Sequence, residues 1–165
     1  MRRLTMSIDA CVETLALLIA IAWADGKLED SEKKGVLGAA GVLNLSKEMR
    51  ERLDKLLEKP MPVDQLLVEG LSSRDKAFMY IAGSWLTGVD GEVDAKEVAM
   101  LDEATAMLGI EGARKTELNQ IARDLEPIRM GERAEADWAN ELVTLFKAIP
   151  KRLENTGEDI DVVFG

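Results

Sequence analysis

An all-α fold is what this sequence predicts, and three observations carry the prediction. Apolar residues recur at helical spacing along the chain. The β-branched and aromatic alternation that strands need is missing, and aromatics are only 4% of the residues. With 165 residues, 47% of them hydrophobic and 32% charged, the chain can bury one core and solvate its surface, which suits one compact domain.

The first helix is expected from about Ser7 to Trp23, with Ser7 as N-cap, and it is apolar nearly all round after Leu15, which predicts a central position. Asp25-Gly26 stops it. A second helix, about Asp30 to Leu43, carries Gly35, Gly38 and Gly41, which cost helix propensity and are expected to let another helix approach. Ser46 caps a third, ending before Pro60-Met61-Pro62, and a short fourth spans about Val63 to Gly70. A fifth, Ser73 to Leu86, offers Phe78, Tyr80, Ile81, Trp85 and Leu86 to the core. A sixth, Ala95 to Leu108, ends at Gly109, and a seventh, Gly112 to Leu125, stops before Pro127. Trp138, Leu142, Leu145, Phe146 and Ile149 then form the stripe of an amphipathic eighth helix, which Pro150 ends. We divide the chain into a helical domain at 1–150 and an acidic, apolar tail at 151–165. Whether that tail is mobile or a strand of apolar anchors laid on a groove, the pattern leaves open.

Composition excludes several chemistries. Lysine and arginine total 21 against 31 acids, giving a formal net charge of −10, so a phosphate backbone is repelled and no nucleic-acid partner is expected. No histidine and one cysteine remove Cys/His zinc sites, histidine-activated nucleophiles and disulfides within the chain. Cys11, inside an apolar helical pattern, reads as a small buried hydrophobe with a normal or raised pKa. Paired carboxylates are the remaining route to an enzyme, but few platforms for a sugar and no phosphate-cradling loop accompany them, so a non-enzymatic role is expected. Met1-Arg2-Arg3 before an apolar stretch imitates a secretory signal, yet Asp9 and Glu13 interrupt it. No apolar run reaches the roughly 20 residues of a membrane span, and the expectation is a soluble, cytoplasmic protein.

An internal repeat is the most informative feature. A shift of 65 residues lays Asp25-Gly26-Lys27-Leu28-Glu29-Asp30-Ser31-Glu32 on Asp90-Gly91-Glu92-Val93-Asp94-Ala95-Lys96-Glu97. The register continues through Leu43, Leu45, Leu53 and Leu56, which fall on Leu108, Ile110, Leu118 and Ile121. Two pseudo-symmetric three-helix units, about 12–57 and 77–122, follow from it, each leaving an apolar face for the other.

Within the repeat the acids stay in place while their neighbours change. Asp25, Glu29 and Glu32 match Asp90, Asp94 and Glu97, whereas Lys27 becomes Glu92 and Ser31 becomes Lys96. Carboxylates so spaced can converge on a hard divalent cation: calcium, magnesium or manganese. The spacing overlaps the second half of an EF-hand loop. Its first half is absent, because Ile21 and Trp23 in one copy, and Leu86 and Gly88 in the other, stand where ligands belong. Asp-Gly turns and acids in the first turn of a helix also account for these residues without any metal. Agreement between the copies favours the cation. Trp23 and Trp85 read as helix packing.

Ala22-Trp23-Ala24-Asp25-Gly26-Lys27-Leu28 followed by Glu32, with a second D-G-x-hydrophobic-acid-x-x-Glu, resembles the tellurite-resistance TerB family over about residues 10 to 125. The resemblance implies an all-helical pseudo-symmetric domain, a metal cation on the clustered acids, a role in metal or other stress responses, and membrane-associated protein partners. It places Asp25, Glu29, Glu32, Asp90, Asp94 and Glu97 at the metal site. Gly88-Val89 before Asp90 departs from Trp23-Ala24 in the first copy. The competing expectation is a metal-free helical adaptor that uses its glycine-lined helices and the Val162-Val163-Phe164 tail to hold a partner or a second copy of itself.

Overall fold

The computed structural model describes residues 2–26, 30–43, 45–88, 95–128, 138–154 and 160–164, with the backbone alone at 2, 25, 31, 32, 88, 138, 139 and 160. These residues form a compact all-α domain with seven α-helices: α1 (Ile8–Ala22), α2 (Asp30–Leu43), α3 (Lys47–Glu58), α4 (Ser73–Gly88), α5 (Ala95–Leu108), α6 (Gly112–Asp124) and α7 (Trp138–Glu154). Strands β1 (Arg2–Met6) and β2 (Ile160–Phe164) pair in parallel, Arg2 opposite Ile160 through Met6 opposite Phe164.

Short side chains with oxygen atoms start three of the helices. Ser7 caps α1 by accepting from the Ala10 N–H, and Ser46 caps α3 by accepting from the Met49 N–H. Ser72 and Asp75 make a reciprocal pair at the start of α4, each side chain accepting from the other's backbone N–H. Ser7 and Ser72 stand at the repeat shift, and so do the starts of α1 and α4, α2 and α5, α3 and α6. The ends also recur: Leu45 N–H reaches the Ala40 carbonyl and Ile110 N–H the Thr105 carbonyl. At the second of these ends the bond closes the helix through a left-handed residue, Gly109, with φ +68°.

The core forms around α1, which is buried without interruption from Ala10 through Ala22. It packs along α4. Gly83 of α4 lies against Leu17 and Ile21 of α1, and the Arg74 guanidinium at the start of α4 donates to the Thr5 carbonyl just before α1. The two central helices therefore run parallel, nearly in the register of the repeat. The flanking helices are placed differently in the two units. α5 lies on α4 and α1, whereas α2 lies mainly on α7, which fills a place that has no counterpart in the other unit. Phe78 of α4 meets Phe146 of α7 edge-on, ring centroids 5.0 Å apart.

Four expectations are corrected. Pro150 does not end the last helix but lies inside α7, which runs on to Glu154. A fourth helix at about Val63 to Gly70 is only a 3-10 turn, Val63–Gln65, because the backbone turns extended at Leu66 (ψ 138°) and the chain then bends at Gly70, φ +85°. That makes seven α-helices where eight were expected. The chain also has a strand at its start, β1, which the helical patterning hid, while β2 shows the C-terminal segment, left open between a mobile tail and a strand, to be a strand. Finally, Gly41 is exposed, and among the described residues nothing lies within 4 Å of a Cβ placed on it, so no described helix approaches it. The close approach is at Gly83, where a Cβ would stand 2.8 Å from Leu101 Cδ1.

Candidate functional site

Parallel α1 and α4 put both of their C-terminal ends at one pole of the domain. α1 passes into a 3-10 turn, Trp23–Asp25, closed by Gly26 at φ +87°, whose N–H reaches the Trp23 carbonyl at 2.8 Å. The left-handed backbone there suits glycine, as the Asp-Gly dipeptide predicts. α5, which starts just after the second acidic loop, packs against this turn. Two helix C-termini carry the negative ends of their macrodipoles to that pole, a field that favours a cation.

The six predicted ligands fall unevenly on the structure. Asp25 belongs to the 3-10 turn and Glu32 to the first turn of α2, each described by its backbone alone. Glu29, Asp90 and Asp94 lie outside the described residues. Glu97 is the ligand whose side chain is described, and it is buried in the first turn of α5 at 7% exposure. The packing of α5 on the Trp23–Asp25 turn brings the helices bearing Asp25 and Glu97 together. Among the described residues no group of three Asp, Glu or Cys could hold a metal ion.

Both tryptophans that predict packing also finish helix ends. The Trp23 indole N–H donates to the Leu56 carbonyl at 2.9 Å. The residue that would normally satisfy that carbonyl is Pro60, which has no N–H, so the indole fills the vacancy left by the proline. Trp85, 2% exposed, donates likewise to the Leu125 carbonyl at the end of α6, at 3.0 Å. Each unit thus ties its first helix to the C-terminal end of its third.

Buried polar groups outside the acidic loops were less visible in the sequence. Glu13, 4% exposed, accepts from Arg52 at 2.8 Å and from the Leu67 N–H at 2.7 Å, joining α1, α3 and the chain before α4. The signal was available: one acid inside an apolar helix needs a buried partner. Asn119 accepts from the Tyr80 hydroxyl at 2.7 Å and from Ser84 at 2.9 Å, pinning α6 to α4. Burial pushes the pKa of the Tyr80 hydroxyl up. Cys11 is 0% exposed, and burial first, the Asp75 charge second, pushes its thiol up to about 12, in line with an unreactive core cysteine.

Two shallow clefts open beside α3. One, of about 350 Å³, lies over Glu48, Glu51, Arg52, Lys55 and Leu56. The other, about 220 Å³, lies between α2 and α3, walled by Leu37, Arg50 and Asp54 and floored by Ala40 and Leu53.

A family model described as a protein of unknown function, DUF533, matches residues 9–122, a span that holds both acidic loops and helices α1 to α5 with nearly all of α6. The chain belongs to DUF533. DUF533 is a TerB-like family, in keeping with the resemblance read from the duplicated loops. α7 and β2 lie beyond the DUF533 match. No curated protein and no solved structure matches the chain. No helix among the described residues is long and apolar enough to cross a membrane.

Proposed function

We propose that this DUF533 chain is a cytoplasmic, non-enzymatic module that binds a divalent cation, calcium, magnesium or manganese, through its duplicated D-G-x-hydrophobic-acid-x-x-Glu loops. The ligands in this reading are Asp25, Glu29, Glu32, Asp90, Asp94 and Glu97. One observation supports it above the others: α1 and α4 run parallel and end at the same pole, and α5 lies on the turn that carries Asp25. Loops that leave from one end of the domain can share a charge, and like-charged carboxylates held near each other gain most from a cation. The biological setting in this reading is metal or tellurite resistance, or another stress response, in concert with protein partners that include membrane-associated ones.

Titration of each cation into chelator-treated protein tests it. Trp23 is anchored on Leu56 two residues before Asp25, so its emission reports on the loop. At a hundredfold excess over the dissociation constant a ligand stabilises the folded state by about 2.7 kcal/mol. In a chain of this length that is roughly 5 to 10 °C in Tm. The paired change Asp25→Asn and Asp90→Asn abolishes both responses. If no cation moves emission or Tm in the wild-type chain, the reading fails.

A metal-free helical adaptor is the second reading, and it has its own observation: Leu37 and Val42 of α2 are 47% and 64% exposed beside the cleft against α3. Large apolar side chains in such a position suit a protein contact.

A further inference from the structure

The outer face of α2 exposes large apolar side chains beside a cleft. Leu37 with Gly41, and Gly38 with Val42, form two neighbouring i,i+4 rows on that face. Leu37 and Val42 are 47% and 64% exposed. No described residue lies within 4 Å of a Cβ placed on Gly41, so no described contact offsets its cost to helix propensity. Next to these rows lies the cleft of about 220 Å³ between α2 and α3, with an apolar floor of Ala40 and Leu53. A protruding leucine beside an apolar cleft is the arrangement in which one surface can fit a copy of itself.

The charges around the cleft decide which occupant fits. Arg50 and Asp54 both line it, one helical turn apart on α3, and neither has an ion-pair partner among the described residues. A strongly basic partner would meet Arg50, and a strongly acidic one would meet Asp54. A second copy related by a two-fold axis meets neither conflict, because antiparallel α3 helices set Arg50 of each copy opposite Asp54 of the other.

We infer that the cleft between α2 and α3 is a two-fold interface, in which Leu37 of each copy enters the cleft of the other and Arg50 and Asp54 pair across the axis. This interface is independent of the cation reading. It lies on α2 and α3, and no acid of the duplicated loops lines the cleft.

Sedimentation velocity of the full chain over a concentration series tests the inference. Salt of about 0.15 M shortens the Debye length to about 8 Å and screens the repulsion between two copies of charge −10. The expected result is a monomer–dimer equilibrium. Leu37→Ser, and either Arg50→Asp or Asp54→Arg alone, each shift it to at least about tenfold higher concentration. The double reversal Arg50→Asp with Asp54→Arg restores it, since the swapped charges still face their opposites. Leu37, Arg50 and Asp54 are exposed, so far-UV circular dichroism is expected to be unchanged in every variant. A chain that stays monomeric up to about 1 mM overturns the proposal. So does a dimer indifferent to Leu37→Ser, or one that the double reversal fails to restore.

Discussion

Cys11 lies 0% exposed inside α1, and its thiol stays neutral in the folded chain up to about pH 12, whereas the unfolded chain ionises from about 9.0. Between those values the unfolded state releases a proton that the folded state keeps, so stability falls as pH rises through that window. Below it the thiol contributes no pH dependence. The slope from this one group is at most about 1.4 kcal/mol per pH unit. Tyr80, whose pKa is also raised by burial, acts with the same sign at higher pH. We therefore expect urea midpoints to drop between pH 8.5 and 10 more in the wild-type chain than in Cys11→Ala. Equal drops would show that the thiol is not held neutral by the core. The same position was legible beforehand, since a cysteine in an apolar helical run is a core residue. Glu13 was not read so well, because its partners Arg52 and the Leu67 N–H come from segments far away in the chain.

Helix boundaries were legible wherever a local chemical signal sets them. Ser7 and Ser46 cap as expected, Gly26 and Gly109 close their turns at positive φ, and α2 and α5 span the residues that the pattern marked. The misreadings come from tertiary context. Pro150 is tolerated inside α7, a helix that packs against α2, α4 and β2. Gly41 of α2 was expected at a helix crossing but meets nothing, whereas a crossing with no room for a Cβ is at Gly83. Alanine at the two kinds of site should then act differently. Gly41→Ala gains helix propensity at no steric cost and should raise the unfolding free energy by about 1 kcal/mol. Gly83→Ala gains as much but forces Leu101 aside from 2.8 Å, within reach of Leu17 at 3.4 Å. Overpacking of this kind costs about 1 to 3 kcal/mol, so the net change runs from nothing to a loss of about 2 kcal/mol. Chemical denaturation of both variants decides it: a stabilised Gly83→Ala would mean that α4 and α5 do not approach this closely. The acidic loops stand apart from both cases. Their sequence agreement was plain at once, whereas of the six side chains only Glu97 has described surroundings.

The parallel pair β1 and β2 closes the domain by bringing the first described segment onto the last. Local pattern could not reveal it, because each strand has five residues and the partner is found at the far end of the sequence. Two strands by themselves are not stable in water, so this pair must draw on the helices beneath it. Leu4, Met6 and Val162 are buried, Phe164 packs on the core, and β2 lies on α7. The ion pair across the strands, Arg3 with Asp161 at 3.8 Å, is exposed and adds little. Apolar burial is therefore what the pairing contributes. A chain ended after Glu154 loses the packed side chains of Val162 and Phe164, a cost of roughly 3 to 6 kcal/mol at 1.5 to 3 kcal/mol for each of the two. Against the 5 to 15 kcal/mol that holds an ordinary domain together, that loss is large without being complete. The truncated chain should keep its helical circular dichroism and melt cooperatively at a lower midpoint, while the amides of residues 2–6 lose their hydrogen-exchange protection. Val162→Asp in the full chain should follow it, because an unpaired carboxylate in that buried position opposes the same docking. A truncated chain with the wild-type midpoint would mean that β2 holds nothing in place, and the helices alone would then account for the stability of the domain.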